Sequence, residues 1–175
     1  WLDMENREWH GERTPALRFA EKVHCHAPQM VIGDLYPLFS DMRLIKEEWE
    51  LERMRKAMDI TRLGIEAMMR TAKPNQKEYE IEAAYDYTLM VNGAREKAFR
   101  TIAAGGKRGM ILHYVENNQT VADGELILID AGAQWQWYNG DISRTFPVNG
   151  KFTERQKLVY NIVLEGQRRV IDAIR

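Results

Sequence analysis

Two apolar runs between residues 126 and 148 constrain the fold more than any other feature of the sequence. The first, 126–129, follows the turn dipeptide Asp123-Gly124 and is typical of a buried strand. The second, 142–148, partly alternates apolar and polar residues and carries Pro147 near its end, where a missing backbone donor does least harm. The two runs therefore predict a pair of strands close enough to form a hairpin.

Two carboxylates lie at the facing ends of these runs. Asp130 ends the first strand and Asp141 begins the second. A two-residue turn at Trp135-Gln136 would set the two aspartates directly opposite each other, with Cβ atoms roughly 4.5–5.5 Å apart on one face of the sheet. Such a pair needs a proton or a cation between its charges, and oxygen ligands suit divalent ions such as Mn²⁺. The hairpin is therefore a candidate metal site.

A second register is open on the same evidence. Asn139-Gly140 is a stronger hairpin turn dipeptide than Trp135-Gln136. A turn there would place Asp141 beside Tyr138 and separate it from Asp130. The spacing of residues alone does not decide between the two registers.

Helical patterns surround the strands. Thr153 with Gln156 three residues later forms a capping box that predicts a helix start. Early acidic residues in the helix from Gln76, such as Glu78, are expected to serve the helix dipole. The predicted elements before the hairpin are helices at 34–43, 47–72 and 76–91 and a strand at 99–104. This mixture predicts an α+β fold.

Composition excludes several partners. The chain has 175 residues, and its net charge of −1 gives no electrostatic case for nucleic acid or a membrane surface. No apolar run approaches the roughly 20 residues of a spanning helix. The single cysteine, Cys25, excludes an internal disulfide and fits a reducing cytoplasm. The cluster His24-Cys25-His26 and the nearby His10 lie in a stretch that we interpret as irregular and not as a zinc site.

Several separated motifs resemble the pita-bread metallopeptidases, and among them the Xaa-Pro aminopeptidases (aminopeptidase P). These motifs are MRLIKEEWE at 42–50, ILHYVENN at 111–118, DAG at 130–132 and DISRTFPVNGKFT at 141–153. The resemblance implies the N-terminal half of a pita-bread (creatinase/aminopeptidase-like) domain, an antiparallel sheet with helices on one face. It also implies that residues 1–43 are the tail of a preceding domain with its linker and that residues 44–175 are the first half of the catalytic domain.

The resemblance further implies a dinuclear metallo-aminopeptidase that hydrolyses the N-terminal Xaa-Pro bond of a peptide through a metal-activated water. Asp130 would hold one divalent ion and Asp141 would bridge both, with Mn²⁺ the first choice and Co²⁺ or Zn²⁺ the alternatives. His113 matches a histidine that lies close to the substrate in the family. Tyr114, Tyr138 and Arg144 are candidates for supporting the metal ligands or lining the substrate pocket.

Part of the family's ligand set is missing from this sequence. In the family, a His and two Glu ligands follow the second Asp, but here no His follows Asp141, and Glu154 and Glu165 match no ligand motif. We therefore expect the 175 residues to be part of a longer product, inactive alone and prone to form homo-oligomers through an exposed sheet edge. A prolidase, which splits Xaa-Pro dipeptides, and a non-catalytic pita-bread binding module are the alternatives.

Overall fold

The structure, a computed structural model, describes residues 1–3 and 13–174; His10 lies outside the described residues. The chain divides into two compact units, 1–48 and 49–175.

The first unit contains two helices, α1 (Pro15–His26) and α2 (Tyr36–Leu44). The hydroxyl of Thr14 accepts a hydrogen bond from Leu17 N (3.3 Å), which caps the start of α1. Leu2 pairs with Asp34 in a parallel bridge. The stretch His24-Cys25-His26, predicted to be irregular, is instead the end of α1. Cys25 is exposed and carries a free thiol.

The second unit combines helices with short antiparallel strands. Its helices are α3 (Glu48–Thr71, which begins at the unit boundary), α4 (Glu78–Val91) and α5 (Glu154–Ala173), and a 3-10 helix spans Gly106–Met110. Its strands are β1 (Glu96–Lys97), β2 (Ile102–Gly105), β3 (Leu126–Ala131), β4 (Ala133–Trp135), β5 (Tyr138–Asn139) and β6 (Ile142–Pro147). They form two three-stranded sheets, ordered β1-β4-β5 and β2-β3-β6.

The main core lies between the helices and one face of the β2-β3-β6 sheet. Alternate residues of β3, among them Ile127 and Ile129, are fully buried in one cluster with Ile60 of α3 and Tyr85 of α4. The intervening residues of β3, including Asp130, face the other way because side chains alternate along a strand. The predicted α+β arrangement, with helices on one face of an antiparallel sheet, is confirmed.

Most predicted elements occur with small shifts at their ends. The long helix predicted at 47–72 is confirmed as α3, and the Thr153 capping box is confirmed by Thr153 N donating to Gln156 Oε1 at 2.8 Å. Helix α4 begins at Glu78 and not at Gln76 because Lys77 precedes it as the cap, its N–H donating to Glu80 Oε2 at 2.6 Å. Among the described residues, no helix combines the length and apolarity needed to cross a bilayer.

Candidate metal centre

The hairpin adopts neither of the predicted registers. Asp130 pairs with Ser143, not with Asp141, and Trp135 pairs with Tyr138. The turn therefore consists of Gln136 and the residue after it. Both predicted turns, at Trp135-Gln136 and at Asn139-Gly140, are wrong.

Backbone geometry and packing explain this register. Gln136 and Trp137 both have positive φ, 45° and 72°, as the type I′ turn of a tight hairpin requires. Gly140 lies within the hairpin and not in its turn, because its amide donates to Ala133 O at 2.8 Å. A side chain at Gly140 would overlap Thr61 Oγ1 and lie 2.9 Å from Ala57 O. The glycine is therefore needed for the close approach of the hairpin to α3.

Asp130 and Asp141 are diagonal neighbours on one face of the sheet. Asp141 lies two residues before Ser143, the direct partner of Asp130, so both carboxylates point to the same side. Asp130 is close enough to Asp141 to raise the pKa of the Asp141 carboxyl. Ser143 Oγ donates to Asp130 Oδ1 at 2.7 Å and so fixes the orientation of that carboxylate.

The electrostatics of the pair favour a shared proton or a bound cation. Partial desolvation raises the pKa of the Asp141 carboxyl, and the adjacent charge and hydrogen-bonding atoms of Asp130 raise it further. A divalent ion between the groups would replace the shared proton and remove the repulsion. Oxygen donors of this kind suit hard or borderline divalent ions.

Helix α3 holds the hairpin at the level of the two aspartates. The buried hydroxyl of Thr61 donates to Ala57 O at 2.8 Å and accepts from Ala133 N at 2.9 Å. This bridge fixes the backbone of the first hairpin strand, three residues after Asp130. Because Gly140 packs against the same threonine, both strands next to Asp141 are fixed to one point on α3.

The segment 113–115 covers the face of the sheet that carries the aspartates. Ile102 of β2 pairs directly with Asp130 and so shares its face, and Tyr114 packs with Ile102 in a small apolar cluster. The side chain of His113, the preceding residue, is exposed, and its φ is 54°. The Tyr114 hydroxyl donates to Glu78 Oε2 at 2.8 Å. The structure thus brings the His113 segment to the aspartate face and connects Tyr114 to α4.

The other two predicted site residues support the hairpin. Tyr138 Oη donates to Glu50 Oε1 at 2.7 Å, and its ring meets Trp49 edge-on with centroids 6.0 Å apart. Arg144 pairs with Ile129 across the sheet, which places it on the face opposite the aspartates. Its guanidinium donates to Ser143 O at 2.7 Å. The structure therefore connects Tyr138 to the start of α3 and Arg144 to the backbone of β6.

Sequence reasoning missed two polar residues. Ser143 could have been found from the period of two along a strand, since it lies two residues after Asp141. Glu78 could have been found from its spacing to Ile81 and Tyr85, which places a carboxylate on the buried face of α4. Glu78 does lie in the first turn of α4, but its fully buried and hydrogen-bonded side chain was not foreseen from that position.

The residues present fit part of a metal site. In the described part of the chain, no group of three or more His, Cys, Asp and Glu residues is arranged to hold a metal ion. Asp130 and Asp141 thus offer two carboxylates, and Ser143 supports one of them. Such a set can supply some of the ligands of a divalent ion and leaves the remaining ligand positions to other groups.

Comparisons with known proteins agree with this arrangement. The profile of Metallopeptidase family M24 matches residues 52–175. The chain is 46% identical over 143 residues to a Xaa-Pro aminopeptidase of Haemophilus influenzae, covering 82% of this chain and 33% of that protein. It is 42% identical over 150 residues to a Xaa-Pro aminopeptidase of Escherichia coli, covering 86% of this chain and 34% of that protein.

A solved structure shows the same fold. The Zn-substituted aminopeptidase P of E. coli, in complex with product, superposes with a TM-score of 0.84 at 35% identity, covering 96% of this chain and 40% of that one. The predicted pita-bread fold is thereby confirmed. The chain spans about a third of the length of the curated relatives it matches. With most of its length matched by the family profile, this chain belongs to metallopeptidase family M24.

Proposed function

We propose that this chain supplies the first half of the active site of a dinuclear metallo-aminopeptidase that removes the residue before a proline at the second position of a peptide. The observation that carries the proposal is the placement of Asp130 and Asp141 as diagonal neighbours on one face of the sheet, where Asp130 raises the pKa of the Asp141 carboxyl. This pair lies in the region matched by the M24 profile. The Xaa-Pro aminopeptidases among its relatives support the substrate class.

Each residue of the site has a role in this proposal. Asp130 and Asp141 would hold the divalent ions, with Mn²⁺ first and Co²⁺ or Zn²⁺ as alternatives, and Ser143 orients Asp130. Bound divalent ions supply Lewis acidity and bring the pKa of water towards neutrality. His113, on the segment that covers the same face, would contact the peptide.

The proposal extends to the organisation of the protein. Residues 1–43 would be the tail of a preceding domain with its linker, and 44–175 the first half of the catalytic domain. The missing His and Glu ligands would come from outside these 175 residues, since no His follows Asp141. We further propose a homo-oligomer in a reducing compartment such as the cytoplasm, which the exposed free thiol of Cys25 supports.

The test is Mn²⁺-dependent release of the first residue from an Xaa-Pro-Xaa tripeptide. The assay compares the 175-residue chain with the full-length product of its gene. We expect turnover by the full-length product and none by the 175-residue chain. Asp141→Asn should lower turnover by more than about 100-fold, because even groups that only support metal ligands cost about 10- to 100-fold when lost.

The matched control is Asp123→Asn. Asp123 is an exposed carboxylate that bonds Asn149 at 2.8 Å, so this change should leave turnover intact. Lack of turnover by the full-length product with Mn²⁺, Co²⁺ or Zn²⁺ would refute the proposal. Cleavage of an Xaa-Pro dipeptide in preference to the tripeptide would identify a dipeptidase instead.

Metal binding by the 175-residue chain can be measured without any turnover. Two carboxylates should bind Mn²⁺ weakly, because most of the coordination positions stay with water. We expect the free Mn²⁺ signal in electron paramagnetic resonance to fall with added protein, and to be restored in the Asp130→Asn variant but not in the Asp123→Asn control. Equal Mn²⁺ binding by all three proteins would place the metal site elsewhere.

A further inference from the structure

Glu78 is a buried carboxylate that joins helix α4 to two separate loop segments. Its side chain has no solvent exposure. Oε1 accepts from Gly105 N at 2.9 Å and from Arg108 Nε at 2.7 Å. Oε2 accepts from Tyr114 Oη at 2.8 Å and from Gln119 N at 2.9 Å. Both oxygens are thus saturated by donors from the chain.

These donors lie on both sides of His113 in the sequence. Gly105 and Arg108 precede it, and Tyr114 and Gln119 follow it. The chain from 105 to 119 therefore leaves Glu78, passes through His113 and returns to Glu78. A single carboxylate fixes both ends of the segment that carries the histidine.

The backbone of this segment needs such a restraint. His113 and Asn117 have φ values of 54° and 45°, in the left-handed region that residues with a side chain seldom adopt. Asn117 is fixed by its own bonds to Ala103 N (3.0 Å), Glu82 Oε2 and Thr101 O (both 2.8 Å). The side chain of His113 is exposed, so the conformation of His113 depends on the neighbouring residues whose positions are fixed by hydrogen bonds. Glu78 fixes Tyr114, the residue after His113, through the bond from Tyr114 Oη.

The charged surroundings of Glu78 favour an ionised carboxylate. Arg108 from the loop bonds Glu78 directly, and Arg108 Nη2 also donates to Thr120 O at 3.0 Å. Glu82, one helical turn after Glu78 on α4, is separately paired with Lys97 at 2.7 Å. The Glu78 carboxylate is thus bonded by the cation Arg108 and by neutral donors, and the negative charge of Glu82 is paired with Lys97.

We propose that Glu78 is a positioning residue that holds His113 in place on the aspartate face of the sheet, acting through the hydrogen bonds that its carboxylate accepts from Gly105, Arg108, Tyr114 and Gln119. The role of His113 towards a peptide rests on the proposed function. The restraint of the 105–119 segment does not rest on it and can be measured by itself.

The first experiment is amide hydrogen exchange on the Glu78→Gln variant of the 175-residue chain. Glutamine has nearly the same shape, but its NH₂ group cannot accept a hydrogen bond. The remaining carbonyl oxygen of glutamine can keep the bonds on one side, so we expect exchange to accelerate by at least about tenfold at whichever of the Gly105 and Gln119 amides faces the NH₂ group, as expected for the loss of a buried bond to a charged acceptor. Amides of β3 such as Ile129 should keep their protection, which separates local opening from global unfolding.

The matched control is Glu116→Gln. Glu116 lies in the same segment, is exposed, and accepts only from the adjacent Val115 N at 3.3 Å among its described hydrogen bonds. It should leave exchange at Gly105 and Gln119 unchanged. Unchanged exchange in Glu78→Gln, or an equal effect of Glu116→Gln, would overturn the proposal.

Two milder variants keep the test decisive if Glu78→Gln fails to fold. Tyr114→Phe removes one donor and keeps the ring on Ile102, and Arg108→Lys keeps the charge but loses the fixed geometry of the guanidinium. Each should increase trypsin cleavage after the exposed Lys107, while the amide of Ile129 in β3 keeps its protection from hydrogen exchange. Wild-type cleavage rates in both variants would overturn the proposal.

A double-mutant cycle in the full-length product tests the connection to His113. If Glu78 acts through His113, Glu78→Gln should lower kcat about tenfold or more in the wild type and have little further effect in a His113→Ala background. Equal losses in both backgrounds would overturn the proposal. No peptidase activity in the wild type would refute the proposed function instead, and the exchange experiment would still decide the role of Glu78 in restraining the segment.

Discussion

The proximity of Asp130 to Asp141 destabilises the folded chain when no cation is bound. The pKa of Asp141 is raised by partial desolvation and by Asp130, so the folded state favours the protonated form. The contribution of Asp141 to the free energy of unfolding is therefore greatest below its ordinary pKa of 3.8 and falls as the pH rises through the raised folded value. At neutral pH the chain retains this repulsion, which a divalent ion would remove.

Asp141→Asn should therefore stabilise the metal-free chain at pH 7. We expect a gain in the free energy of unfolding of roughly 0.5 kcal/mol, kept small because partial exposure screens the repulsion. Denaturant unfolding in EDTA measures the change. The control Asp59→Asn alters an exposed carboxylate on α3 whose weak ion pair with Arg62 is 3.9 Å long, so it should give no gain. A less stable Asp141→Asn chain would show that the carboxylates do not repel each other.

Trp137 carries backbone strain at the tip of the hairpin. Its φ is 72° and its side chain is 88% exposed, so the positive φ is not offset by burial of the ring. Trp137→Gly should raise the free energy of unfolding by about 0.5–1 kcal/mol, the relief of left-handed strain less the added chain entropy of glycine. Trp137→Ala keeps a Cβ at the same φ and should give no such gain. Loss of stability in Trp137→Gly would mean that the ring contributes packing.

At this scale the sequence identified the aspartates but not their neighbours. Asp130 and Asp141 could be found because they end an apolar run and begin the next strand. The register of the hairpin strands could not be found from the sequence, because a type I′ turn built from Gln136 and Trp137 has no glycine or asparagine to mark it. Glu78 was missed because acidic residues are common in first helical turns, and only its spacing to Ile81 and Tyr85 indicates burial.

Contact between α3 and the hairpin fixes the position of the aspartates within the fold. Gly140 lies against Thr61 and Ala57, and Thr61 also accepts from Ala133 N. A methyl group at Gly140 would separate the hairpin from the helix. The site thus depends on a helix that contributes neither aspartate.

Gly140→Ala should cost about 1–3 kcal/mol of stability, the usual penalty for overpacking a filled core. The matched control is Gly166→Ala in α5, where an added Cβ would meet no heavy atom within 4 Å. That change should stabilise the chain by up to about 1 kcal/mol because alanine favours a helix more than glycine. Thermal unfolding of both variants measures the change in midpoint temperature. Equal changes in the two variants would show that Gly140 is not tightly packed.

Coupling between α4 and the 105–119 segment should also appear in the acid branch of the stability curve. Burial alone would raise the pKa of Glu78, but the hydrogen bonds from Gly105, Arg108, Gln119 and Tyr114 outweigh it and lower the pKa below 4.5. Its contribution is therefore fully present above about pH 4.5 and is lost as the pH falls through the lower folded value.

Glu78→Gln should reduce the free energy of unfolding at neutral pH, and it should make the further loss of stability on acidification smaller than in the wild type. Denaturant unfolding from pH 6 to 3 measures both effects, with Glu116→Gln as the exposed control. A parallel acid loss in wild type and Glu78→Gln would show that other carboxylates cause it.

The helix and strand patterns in the sequence predicted the elements themselves better than they predicted the contacts between elements. The α3 helix follows from a regular apolar stripe, and α5 from the Thr153 capping box, since both signals are local in sequence. The crossing of the hairpin over α3 joins residues 72 positions apart. Close contact of this kind is set by packing in three dimensions, which the residue pattern of either element does not encode.

For the second unit as a whole, α5 and the edge strand β6 leave an open apolar surface. No residue of α5 is buried among the described residues, and β6 is an edge of its sheet. Between them lies a groove of about 780 Å³ whose apolar lining includes Leu126, Val159 and Val163. Exposed strand edges beside apolar surface favour association with another chain.

The 175-residue chain should therefore self-associate at micromolar concentration, as sedimentation velocity can show. Val163→Lys places a charge in the groove and should shift the chain towards monomer, because a buried unpaired ammonium opposes association. Asn161→Lys adds the same charge at an exposed position of α5 that does not line the groove, and it should leave association unchanged. A monomeric wild type, or an equal response to both lysines, would mean that this surface does not drive assembly.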